Sequence, residues 1–148
     1  MVSRPVGLCC VITLALAPVP AFGQATLPAP VADGLAALRD GHCERAFQEW
    51  TSSWTSPEET SNRQTVLGSC TFLDRLGRMQ GYEVLSDSAV GTHLAFVYTV
   101  LLFDKQPVFL LLIAYRPKDD WKVMTVNWNT TAEKVLPTTL LPPRPSPP

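Results

Sequence analysis

Two periods divide the chain. Between positions 33 and 76 apolar residues recur three or four apart, as one face of a helix requires, and between 82 and 129 they run in extended stretches separated by polar turns. In the first region Leu35, Leu38, Ala46, Phe47, Trp50 and Trp54 form a stripe, with Asp33 placed as an N-cap. Asp40-Gly41 interrupts that stripe, and because Asp-Gly is a strong turn signal the pattern predicts two helices rather than one. Pro57, Glu58 and Glu59 open a further helix, since proline suits the first turn and carboxylates suit the positive end of the macrodipole. Val66, Leu67, Cys70, Leu73 and Leu76 give it a buried face, and Gly77 or Gly81 ends it. In the second region strands are predicted over 82–86, 92–103, 108–116 and 121–129, with turns at 87–91, 104–107 and 117–120. Short loops between such strands make an antiparallel meander, and helices followed by a meander make an α+β fold.

The two central strands are apolar on both sides. Leu94, Phe96, Tyr98, Val100 and Leu102 share one face, opposite Ala95, Val97, Thr99, Leu101 and Phe103. The next strand repeats this, with Phe109, Leu111, Ile113 and Tyr115 opposite Val108, Leu110, Leu112 and Ala114. A sheet with one wet face would alternate cleanly, so both faces here need cover. The helices can cover one. A ligand cavity, a second chain or a flap from the chain's own termini is left for the other. A membrane-spanning reading of this stretch would bury Asp104 and Lys105 in mid-span, which costs several kcal/mol.

Outside this core the termini differ in composition. Arg4, an apolar run over 6–17 and a breaker-rich stretch over 18–23 have the form of a secretory signal peptide, with Ala21 and Gly23 as the small residues before a cleavage point near Gly23. Residues 24–30 then read as a linker, 31–135 as a single domain, and 136–148, where six prolines lie, as a disordered tail. Removing the first 23 of 148 residues leaves 125, enough for one core. Of 12 Lys and Arg only Arg4 lies in the leader, so against 13 Asp and Glu the remainder carries −2. Without clustered cations it has no electrostatic footprint for nucleic acid or anionic lipid. Cleavage also removes Cys9 and Cys10, leaving Cys43 and Cys70, which an oxidising compartment would pair. Closing a loop of about 28 residues stabilises a fold by roughly 3–4 kcal/mol in the chain-entropy model.

Chemistry-bearing residues are sparse. No carboxylate lies within the central strands, and Asp104 falls in a hairpin turn, where aspartate is favoured by its own backbone bonding. Glu83, Asp87 and His93 read as solvated strand-end or turn positions, and one His42 beside one Cys43 is short of the three or four ligands a zinc site needs. No catalytic, metal or cofactor-binding residue is therefore assigned, and no cofactor is expected. The aromatic residues offer the candidate site: Trp50 and Trp54, four apart, with Tyr98, Tyr115, Asn127 and Trp128 on strands, could line a cavity for a small apolar or planar ligand. Asn127 and Asn129 share a face.

The order of elements, with GHCERAFQEW on the helices, LGRMQGYEVLSD leading into the sheet, Pro107 after the long hairpin turn and AYRPKDDWKVMTVNWN closing it, resembles secreted bacterial NTF2-like domains of the cystatin-like cone architecture. That resemblance implies a curved four-stranded antiparallel sheet packed on N-terminal helices, with a pocket at the wide end and dimers formed through the sheet. It spans enzymes of the ketosteroid isomerase and dehydratase type as well as binding modules, so it leaves activity open. The resulting expectation is an exported, periplasmic or secreted domain without catalytic function that binds a ligand or assembles, as a homodimer or with an envelope protein, through its sheet face. The alternative is a small NTF2-like enzyme.

Overall fold

The computed structural model describes residues 26–143. The expected leader and its cleavage point lie outside the described residues. Three helices precede a four-stranded sheet: α1 (Ala29–Arg39), α2 (Cys43–Thr51) and α3 (Pro57–Arg75), then β1 (Met79–Val90), β2 (Leu94–Phe103), β3 (Pro107–Tyr115) and β4 (Lys122–Asn129), followed by 3-10 turns at Ala132–Lys134 and Thr138–Leu140. The strands are antiparallel and lie in sequence order, a meander. This curved α+β arrangement is NTF2-like.

Each helix boundary has a local cause. Gly41 takes φ +83°, so the chain leaves α1 through a left-handed residue and re-enters a helix two positions later. A capping box starts α3: the Ser56 hydroxyl accepts from Glu59 N at 3.1 Å, and the Glu59 carboxylate accepts from Ser56 N at 2.8 Å. Gly77, at φ +89°, ends α3 against Asp104, whose Oδ2 would lie 2.8 Å from any Cβ placed there. Asp104 in turn accepts from Arg78 N at 2.7 Å and Gln80 Nε2 at 2.5 Å, tying the β2–β3 turn to the start of β1. The Cys43–Cys70 disulfide, with Cα atoms 5.8 Å apart, joins α2 to α3.

The helices pack on one face of the sheet. Val31, Leu35 and Leu38 of α1, Phe47 and Trp50 of α2 and Leu73 of α3 meet the inward rows Val97, Leu101, Leu110, Leu112 and Val123. Closeness at α1–α2 rests on Gly34, where a Cβ would stand 2.1 Å from Trp50 Nε1. Trp54 Nε1 donates to Val123 O at 2.9 Å and Ser53 Oγ donates to the same oxygen at 3.4 Å, docking the loop after α2 on β4.

Several expectations are corrected. Helix α1 begins at Ala29 rather than after Asp33, with Pro30 in its first turn, so the linker is shorter than 24–30. Strand β1 covers 79–90 instead of 82–86, and the turn expected at 87–91 is confined to 91–93. The residues from 136 onward do not begin as a disordered tail: Val135 and Leu136 are buried and Thr138–Leu140 form a helical turn. Trp54 lies beyond the end of α2, so it shares no helix face with Trp50.

Candidate functional site

Register decides what the sheet shows to each side. Four cross-strand rows run across the face opposite the helices: Glu83–Val100–Phe109–Asn129, Ser86–Tyr98–Leu111–Asn127, Ser88–Phe96–Ile113–Thr125 and Val90–Leu94–Tyr115–Lys122. In the first three, the middle positions on β2 and β3 are apolar or aromatic and the outer positions on β1 and β4 are polar. The result is an apolar centre with a polar rim, the anatomy of a protein interface. None of these central residues belongs to the helix-side core. Most are half-buried, while Leu102 and Tyr115 are exposed. Val100 on this face, and Val135 and Leu136 after β4, are buried without belonging to that core.

A second concavity, of about 830 Å³, lies between α1 and β1. Leu27, Ala32 and Arg39 wall it on the helix side, and Tyr82, Val84 and Asp87 on the strand side. The register shift in β1 between Val84 and Ser86 turns Asp87 to the same side as Tyr82 and Val84, the inward side. Arg39 Nε lies 3.2 Å from Asp40 Oδ1, so its charge is already matched.

The six aromatic and amide candidates do not converge. Trp50, Trp54 and Trp128 lie on the helix side: Trp50 is fully buried edge-on to Phe47, Trp54 is pinned to Val123, and Trp128 donates to Ser69 Oγ at 3.1 Å while stacking on Phe72. Tyr98, Tyr115 and Asn127 lie on the opposite face, Tyr98 and Asn127 flanking Leu111 in a single row. Asn129, on the same face, accepts from Thr131 N at 3.0 Å and closes a turn. The groove residues Arg39, Tyr82 and Asp87 were not legible as a group, because only the shift at Val84/Ser86 brings Asp87 to that side. The absence of glycine and proline between Gly81 and Gly91 was the available signal that the strand continues.

Titratable side chains outside these surfaces serve the backbone. His93 Nδ1 lies 2.7 Å from Arg116 O, Arg116 donates to Thr92 O at 2.9 Å, and the Arg116 guanidinium sits 5.0 Å over the Trp121 ring. Arg63 donates to Thr51 O at 2.8 Å and to Trp54 O, holding the chain where α2 ends. Among the described residues no group of three or more His, Cys, Asp or Glu is placed to hold a metal ion, and no helix is long and apolar enough to cross a membrane.

No family model and no curated protein matches the chain. Among solved structures it is similar to a protein from Campylobacter jejuni described as an NTF2-like transpeptidase, at 15% identity and a TM-score of 0.50, over 66% of this chain and 97% of that one. At that identity the likeness concerns the fold alone. The closed disulfide belongs to an oxidising environment outside the cytoplasm.

Proposed function

We propose that the chain is an exported NTF2-like domain that acts by assembly, through the outer face of its sheet, rather than by catalysis. The observation that carries this reading is the set of rows Ser86–Tyr98–Leu111–Asn127 and Ser88–Phe96–Ile113–Thr125, apolar at the centre and polar at both ends. Large contiguous apolar patches on otherwise soluble folds mark interaction surfaces. The use of Asp104 and His93 in backbone hydrogen bonds supports the same reading over an enzyme that would need one of them as acid or base. A homodimer is the simplest occupant, and an envelope protein fits the same face. Light scattering during gel filtration of residues 24–148 is expected to give the mass of two copies, and Leu111→Glu, at the centre of the face, to give one, with unchanged far-ultraviolet circular dichroism. A wild-type monomer at every attainable concentration that also fails to bind a hydrophobic dye would overturn it.

A further inference from the structure

The two edges of the sheet are treated differently. On β4 the Val123 carbonyl is occupied by Trp54 and Ser53, the strand is bulged, and Lys122 stands at its start. On β1 between Gly81 and Val90 the bulge at Val84/Ser86 and the inward carboxylate of Asp87 are present, but among the described residues no side chain occupies a backbone carbonyl and no lysine stands on the strand. Strand β1 is 12 residues long and pairs on one side only, with β2. From Gly81 to Val90 it contains no proline and no lysine, and among the described residues no side chain or loop backbone hydrogen-bonds to that stretch. Such an edge presents a row of unpaired N–H and C=O groups, the template to which another strand adds. The concavity walled by α1 runs beside it, and Val84, Leu85 and Val90 on this strand are 39%, 37% and 58% exposed.

We infer that the β1 edge and the adjoining groove accept an extended peptide segment of a partner protein, added as a fifth strand and carrying basic side chains. Backbone pairing supplies the affinity in this mode, and side chains alternating between groove and solvent supply the selectivity. The charge preference follows from β1 itself: its only ionisable acids or bases between 81 and 90 are Tyr82, Glu83 and Asp87, and the carboxylates fall on opposite faces. A strand with a lysine on each face meets both. A second copy of β1 fits poorly, because between 81 and 90 it brings two more carboxylates and no cation, and so offers Glu83 and Asp87 no partner. This edge adjoins the outer face assigned to assembly, to whose rim Glu83 also belongs, but it offers backbone groups that the face does not use, and neither assignment depends on the other.

The test uses residues 24–148 with the disulfide intact and three synthetic nonapeptides. One alternates valine and threonine with two lysines, the second carries glutamates in place of the lysines, and the third is the lysine peptide with alternate amides N-methylated. Hydrogen exchange read residue by residue is expected to show β1 amides between 81 and 90 slowed by the lysine peptide, several-fold weaker binding of the glutamate peptide, and loss of about tenfold or more on N-methylation, which removes the strand's donors. Glu83→Lys with Asp87→Lys is expected to reverse the preference between the first two peptides while circular dichroism stays unchanged. Unaltered β1 exchange with all three peptides would overturn the assignment. Equal binding of the N-methylated peptide would show that no strand is added. Protection of β1 that rises with protein concentration alone would make a second copy the occupant instead.

Discussion

Thr99 is fully buried on the helix side of β2, and its hydroxyl has no hydrogen-bond partner among the described protein groups. It stands between Val84 and Leu110, in a row of apolar neighbours. A buried hydroxyl without a partner forfeits its hydration, so Thr99→Val, which keeps the shape and replaces the oxygen by a methyl, is expected to raise stability by roughly 1–2 kcal/mol. A urea unfolding midpoint that falls in the variant would show that the hydroxyl is satisfied after all. Threonine at an inward position of a central strand is legible in the sequence as a β-branched residue that fits a pleat, but whether its oxygen finds a partner depends on atoms from other elements.

At the level of elements, the capping box of α3 makes a prediction about acid. Hydrogen bonds from the Ser56 backbone, the Ser56 side chain and the Thr55 backbone hold the Glu59 carboxyl below its ordinary value of 4.5. A carboxylate depressed in the folded state contributes stability that is fully present above the ordinary value and is lost as pH falls through the lower folded value. Glu59→Gln keeps an acceptor at that position and removes the titration. The difference in urea midpoint between the two proteins is therefore expected to be constant at neutral pH and to shrink in the acid range below 4.5. A difference that grows on acidification would contradict it. This helix was readable from Pro57, Glu58 and Glu59 because first-turn preference is local chemistry, whereas the Ser56 cap was not read. The break after Arg39 was readable too, where Asp40-Gly41 supplies the left-handed exit. The start of α1 was not, since Pro30 reads equally as linker or first turn. The second half of β1 was missed for a related reason: Ser86, Asp87 and Ser88 are turn-forming residues, yet at a sheet edge with exposed faces they need no apolar pattern to pair with Tyr98, Val97 and Phe96. Trp54 continued the helical period in sequence although the helix stops at Thr51, because docking on Val123 governs its place.

For the whole molecule, the Cys43–Cys70 bridge ties the helical layer together before the sheet is reached in sequence. Replacing both cysteines by serine is expected to cost roughly 3–4 kcal/mol, the cost of releasing a loop of this size in the unfolded chain. Urea denaturation of the double variant beside the reduced and oxidised wild type checks it, and near-identical midpoints for all three would mean that the bridge contributes nothing. Pairing, compartment and fold class could all be argued from sequence, because cysteine count and hydrophobic period are global signals. The distribution of the six candidate residues over two sides of the sheet could not, since strand faces depend on register and each shift in β1 and β4 moves the later residues of that strand to the other side.

The contact between Gly34 and Trp50 reaches beyond this one chain. With no room for a methyl group beneath the indole, the two positions are bound to change together during descent. A homologue that acquires alanine or anything bulkier at the first must trade its tryptophan for a slimmer ring or an aliphatic residue at the second, and this covariation would identify true kin even where little other likeness survives.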